Sequence, residues 1–170
     1  MNELSLSTAS AKPLDKPGPD LDLELCAKAA ATCACFSFRK ASRAVTQQFD
    51  ELLQPTGLRS TQLVVLIAVA VTESPGVAAL ARELVMDRST LTRNLRPLVK
   101  QGLLKVRLGK DRRTRLVEMT PRGREVLCDA LPVWSDAQDR FVAQLGADRW
   151  EDLLSLLSTT VGFTWGRGAL

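Results

Sequence analysis

The hydrophobic pattern of this chain keeps a helical period almost throughout and abandons it once, between Leu104 and Met119. There Leu104, Val106 and Leu108 alternate with Lys105 and Arg107, and Leu116 to Met119 forms a second short β-prone stretch. A period of two sends successive side chains to opposite faces of a strand, so this segment predicts a two-stranded hairpin with GKDRRTR as a long basic tip. Before it the spacing is three and four. Ala31, Ala34, Phe38, Ala41, Val45, Phe49 and Leu52 predict one long first helix from Asp20 to about Gln54, ended by Pro55 and Gly57. Ser60 is the expected cap of a second helix whose body, Thr61 to Val71, is apolar on almost every side and so should be buried. Val77 to Val85 reads as a short helix. Asp87 then caps a helix from Arg88 to about Gln101, with Gly102 suited to the left-handed position behind it. Pro97 inside that helix removes the hydrogen bond to the Arg93 carbonyl and predicts a kink.

After the hairpin, Thr120 caps a further helix with Pro121 at its first position, where the missing N–H costs nothing. Leu127, Leu131 and Trp134 carry its apolar stripe, Gly146 breaks it, and a last helix runs from Asp148 to about Val161. Residues 1–20, with three Pro, predict a disordered lead-in, and residues 163–170 a tail without period. The expected architecture is mainly α with a small β-hairpin. Two short helices followed by a hairpin make a winged helix-turn-helix, here a core of about residues 58–120 between long terminal helices at about 21–54 and 121–162. Residues 21–162 form a single domain, as expected for a chain of 170 residues.

The chain has no His and no Tyr, which excludes a His general base, a His-ligated metal site and a tyrosine acid. It also lacks a phosphate-cradling Gly loop and a convergent carboxylate pair, so an enzyme is not expected, nor a cofactor. The longest apolar stretch, Leu63 to Val71, is far short of the roughly 20 residues that cross a bilayer. The first residues carry an acid and no continuous apolar block, unlike a secretory signal. A cytoplasmic protein without membrane contact is expected.

Charge is segregated. Between Arg82 and Arg124 stand thirteen Lys or Arg and four acids, a net +9, whereas the remaining residues net −5. Solvated faces normally interleave both signs, so this clustering points to a polyanion, first of all double-stranded DNA. The cluster begins where the second short helix begins, the element that enters the major groove in a helix-turn-helix. Its first turns offer Ser89, Thr90, Thr92, Arg93, Asn94 and Arg96: hydroxyls for phosphates or base edges, Arg for guanine, Asn for adenine. The hairpin adds Lys110, Asp111, Arg112, Arg113 and Arg115. The alternative is a winged-helix interaction module whose basic face meets an acidic protein.

The run LARELVMDRSTLTRNLRPLVKQGLL followed by GKDRRTRLVEMTPRG resembles the multiple antibiotic resistance regulator (MarR) family, whose wing shows D-x-R-x-x-x-L/I/V-x-L/M-T-x-x-G. Asp111, Arg113, Val117, Met119, Thr120 and Gly123 match it. The resemblance implies a homodimeric transcriptional repressor whose terminal helices interleave to make the dimer. It further implies that Arg113 at the wing tip reaches into the minor groove, braced by Asp111, with Lys110 and Arg112 on phosphate. A two-fold dimer implies a pseudo-palindromic operator.

The stretch CFSFRKASRAVT, Cys35 to Thr46, resembles the organic-hydroperoxide-responsive branch of that family, which implies Cys35 as the sensing thiol. The tyrosines that bond to the Cys in that branch have no counterpart here. In one continuous helix Cys33 and Cys35 would point about 200° apart, and Cys26 and Cys33 would lie about 10 Å apart along the axis, so a disulfide would need Cys128, another subunit or a frayed helix start. Sensing thiols, a soft-metal or metalloid site, and small packing residues among alanines remain three readings of Cys26, Cys33, Cys35 and Cys128. The family resemblance also implies a small aromatic or anionic effector, for which Arg39, Arg43 and Trp134 would supply charge and a stacking face; the alternative places Trp134 in the dimer core and the two Arg on the surface.

Overall fold

A computed structural model describes residues 20–109, 111 and 114–165, the Trp165 side chain excepted. The elements in order are α1 (Leu23–Thr32), α2 (Ala34–Leu53), a 3-10 turn (Gln54–Thr56), α3 (Ser60–Val71), α4 (Val77–Glu83), α5 (Arg88–Lys100), β1 (Leu104–Leu108), β2 (Arg115–Met119), α6 (Pro121–Leu145) and α7 (Ala147–Trp165). The mainly α fold with one antiparallel hairpin is as expected. No single described helix is long and apolar enough to cross a membrane. The chain divides into two compact units, residues 1–41 and 42–170.

In the first unit the expected single long helix is broken. Asp22 caps α1, its Oδ1 accepting from the Leu25 N–H at 2.8 Å, and the helix stops at Cys33, whose φ of −68° and ψ of 117° are extended. The Thr32 hydroxyl donates to the Lys28 carbonyl at 2.9 Å, the back-bonding by which Thr competes with the main chain and bends helices. No Gly or Pro marks the place. The described residues of this unit are exposed throughout, Leu23, Leu25, Phe36 and Phe38 included. Of the expected lead-in, residues 1–19 lie outside the described residues.

The second unit holds the core. Leu63, Val65, Leu66 and Val69 of α3 meet Leu80 of α4, Leu91, Leu95 and Leu98 of α5, Leu104 and Val117 of the hairpin, and Leu127 of α6. Each fully buried aliphatic side chain contributes about 1.5–3 kcal/mol of burial. The expectation for α3 holds for that face, while Val64 and Val71 point outward. Ser60 is not the cap: it is the first helical residue, Arg59 takes the cap position, and both the N–H and the hydroxyl of Ser60 donate to Asp50 Oδ1 at 2.6 Å. A carboxylate reaching back from α2 thus satisfies donors that a sequence-local cap would have served.

Helix α5 runs through Pro97 to Lys100 in one element, and the Gln101 N–H donates to the Pro97 carbonyl at 2.9 Å. The helix thus reaches Lys100, close to its expected end at Gln101. Gly102 takes φ +70°, and the Leu103 N–H returns to the Leu98 carbonyl. The strands pair with Leu104 opposite Met119 and Val106 opposite Val117. The Val117 N–H also donates to the Pro75 carbonyl at 2.9 Å and Gly76 bridges Leu116, so the turn before α4 adds a third edge.

The corner behind the hairpin is a tight joint. The Thr120 hydroxyl donates to the Gly102 carbonyl at 2.6 Å and accepts from the Gly123 N–H at 3.0 Å. A Cβ at Gly123 would stand 2.0 Å from the Leu103 carbonyl oxygen, so only glycine allows α6 to approach so closely. Helix α6 passes through Pro132, which has no N–H for the Cys128 carbonyl, and ends at Gly146 with φ +94°. Phe141 sits edge-on between Phe49 and Trp150, with centroids at 6.3 and 5.6 Å. Helix α7 continues through Gly162 to Trp165, past its expected end at Val161, so the first residues of the expected tail are helical. Residues 166–170 lie outside the described residues.

Candidate nucleic-acid interface

The turn from α4 into α5 is set by one carboxylate. Asp87 Oδ1 accepts from the Thr90 N–H at 2.8 Å and from the Ser89 hydroxyl at 2.6 Å, and Oδ2 accepts from the Thr90 hydroxyl at 2.7 Å. The Ser89 hydroxyl, then the Thr90 N–H and hydroxyl, hold the Asp87 carboxyl well below the usual carboxylate range, so it stays charged under all ordinary conditions. The expected cap is therefore present, and it engages the protons of the Ser89 and Thr90 hydroxyls while leaving their oxygens able to accept.

From this start α5 exposes Ser89, Thr92, Arg93 and Arg96. Arg93 Nη2 donates to Thr90 Oγ1 at 3.1 Å, and the Thr92 hydroxyl donates to the Arg88 carbonyl at 2.7 Å. Asn94 behaves differently: it is half-buried, and its Nδ2 turns back to Met86 Sδ at 3.5 Å. This contact ties the amide to the turn that precedes the helix. Two clefts lie between α5 and the hairpin. One, of about 350 Å³, is lined by Arg88, Thr92, Thr114 and Arg115; the other, of about 530 Å³, by Arg96, Lys100 and Arg115 above Val77, Leu95 and Val106. The structure thus brings Thr92, Arg96 and Arg115 together as neighbours across two elements.

Arg88, Lys100 and Thr114 join this surface without having been singled out from the sequence. Arg88 directly follows the cap and Lys100 stands four residues after Arg96, spacings that put both on the exposed face of α5. The hairpin subtracts from the charge count as well. Glu118 pairs with Arg107 and, at 3.1 Å, with Lys105, and these contacts, Arg107 first, hold its carboxyl below the ordinary value. Two of the thirteen cations are therefore tied to an acid on the same sheet face. Asp111 is exposed, and its carbonyl accepts the Thr114 N–H at 2.9 Å. Lys110, Arg112 and Arg113, the expected tip contacts, lie outside the described residues.

The MarR family model matches residues 58–114. The transcriptional regulator MosR of Mycobacterium tuberculosis, solved in complex with DNA, is 32% identical with a TM-score of 0.69, over 78% of this chain and 99% of that one. The chain belongs to the MarR family. HTH-type transcriptional regulator SarZ of Staphylococcus epidermidis is 28% identical over 93 residues, 54% of this chain, and the match spans 63% of the length of that relative. A mutant of Escherichia coli MarR, solved with operator DNA, shares the fold at 21% identity and a TM-score of 0.70, over 78% of this chain and 96% of that one. The family is one of winged helix-turn-helix transcriptional regulators, not of enzymes.

Of the residues expected to sense an effector in this MarR-family chain, Trp134 lines a cleft of about 270 Å³ with Phe49, Val64 and Ser60, and Arg43 lines an adjoining open groove of about 810 Å³ beside Asp50 and Arg59, with Thr46 common to both. Arg39 lies on the exposed first half of α2. Cys26, Cys33, Cys35 and Cys128 are free and exposed in the single chain. The extended backbone at Cys33 also removes the continuous-helix geometry from which the cysteine directions were derived. Among the described residues no three His, Cys, Asp or Glu converge as metal ligands.

Proposed function

We propose that this MarR-family regulator binds a pseudo-palindromic DNA duplex as a homodimer in the cytoplasm, represses transcription there, and is released by a small ligand or by modification of a cysteine. The carrying observation is the clustering of Arg88, Thr92, Arg96 and Arg115 around the two clefts between α5 and the hairpin. Glu118 is paired with Lys105 and Arg107 rather than with Arg88, Arg96 or Arg115, which suits these three to an outside anion. Arg93, Arg96, Ser89 and Thr92 face the major groove in this reading, Arg88 and Arg115 meet phosphate, and Arg113 with Asp111 serves the minor groove. DNA complexes of MosR and of MarR support the partner class. In the dimer the two reading helices lie roughly 34 Å apart, one turn of B-DNA.

Leu154 and Val161 on one face of α7, and Leu156 and Phe163 on another, are exposed and support self-association, since apolar exposure marks contact surfaces. The exposure of all four thiols supports release by oxidation. Selection of duplexes from a random pool, followed by binding at rising salt, tests the reading. A palindromic preference and a steep fall of affinity with salt are expected. Indifference to duplex DNA together with capture of an acidic protein would replace it with the protein-interaction module. For release, mass spectrometry after mild peroxide should find a modified Cys that a reductant restores, and unmodified thiols throughout would remove oxidation as the trigger.

A further inference from the structure

We propose that Thr90, anchored by Asp87, is a positioning residue that orients Arg93 and thereby sets the base preference of α5. The inference rests on the reading of α5 as the helix that meets DNA. Its basis is a directional chain of hydrogen bonds: Arg93 Nη2 donates to Thr90 Oγ1 at 3.1 Å, and the same hydroxyl donates its single proton to Asp87 Oδ2 at 2.7 Å. A hydroxyl has one proton and two lone pairs, so both bonds coexist, and each polarises the other. A carboxylate stands at one end of the relay and a guanidinium at the other, which makes both links charge-assisted. Asp87 is held in turn by the Thr90 N–H and the Ser89 hydroxyl.

An exposed arginine ordinarily samples many rotamers and loses that freedom when it binds. One tether from Thr90 removes part of the loss in advance and leaves four of five guanidinium N–H groups, enough for the paired contact to guanine O6 and N7. Among the described residues Arg88, Arg96 and Arg115 have no such side-chain bond, which suits phosphate contacts that need charge more than direction. Arg93 is thus distinguished from its neighbours by being pre-oriented.

The test compares duplex selection by the full-length protein with that of R93A, T90V, T90S and D87N. R93A should flatten the preference at particular base pairs in each half-site. T90V keeps the shape of Thr90 and its N–H to Asp87 while deleting the hydroxyl, and should weaken the preference at those same base pairs by about tenfold while leaving the others unaltered. T90S should restore it. D87N keeps a capping acceptor but removes the charge, and should shift the same base pairs in the same direction, which guards against a T90V that fails to fold. A T90V profile identical to wild type, a uniform loss over all sequences, or an R93A profile without a changed base pair would overturn the relay while the DNA-binding reading stands. A wild-type protein that selects no duplex would instead overturn the DNA-binding reading, and the relay with it.

Discussion

The reading head and the terminal helices are built from similar amino acids and end in opposite states. Between Leu63 and Leu127 the apolar side chains of α3, α4, α5, the hairpin and α6 close on one another, and nine large aliphatic residues of the second unit are sealed from solvent. Helix α1 buries none of its side chains, and α7 reaches only half-burial at residues such as Trp150, Leu153 and Leu157 while leaving Leu156 at 65% and Phe163 at 57% exposed. Hydrophobicity alone therefore does not separate a core from a contact surface. What separates them is whether the surrounding elements of the same chain complete the packing, and the contrast can be broken or sharpened by mutation.

The largest effect belongs to the sealed side. Leu98, fully buried on α5, should cost about 2–5 kcal/mol when cut to Ala, at any protein concentration, as read by urea unfolding. A loss near zero would mean that the head is not the stable half. Gly123→Ala should follow at about 1–3 kcal/mol, because the added methyl meets backbone and must separate α6 from Leu103; an unchanged melting temperature would contradict the close approach. Asp50→Ala comes next, at about 1 kcal/mol at neutral pH, the size of a helix cap. Ser60 holds the Asp50 carboxyl below its ordinary value, so its contribution is present above about pH 4 and lost as pH falls through the lowered value. Wild type and variant should accordingly converge in stability near the acid end of a pH series. The smallest intrinsic effect is expected of Leu156→Ser on α7, within about 0.5 kcal/mol for the monomer. Sedimentation should nevertheless show its dimer dissociating at higher concentration than wild type; an unaltered equilibrium would remove α7 from the contact surface.

Much of the head was legible because its signals are local. Asp87, Gly102, Thr120 with Pro121, and the alternation around Val106 each act within a few residues, and each appears where expected. What escaped depends on distant partners or on weak competition. Ser60 is claimed by Asp50, ten residues earlier, and Asn94 by Met86, eight residues earlier. The stop at Cys33 falls beside the Thr32 back-bond in a run of good helix formers, which carries no punctuation a reader can see. The charge count marks the cationic segment, yet it could not tell Arg107, spent on Glu118, from Arg96, which lines a cleft. Distinguishing them requires knowing which residues oppose each other across the hairpin.

The absence of a side chain at position 123 has a mechanical corollary. With the first turn of α6 seated directly on the Leu103 carbonyl and bolted by Thr120 to Gly102, no soft side chain lies between the long helix and the end of the reading helix to absorb a displacement. The twelve residues of α6 up to Pro132 span roughly 18 Å, so a tilt of a few degrees there arrives at the Gly102 corner as a shift of about an ångström. Beyond Pro132 the missing hydrogen bond gives the helix a place to bend, which confines the leverage to the near half of the shaft.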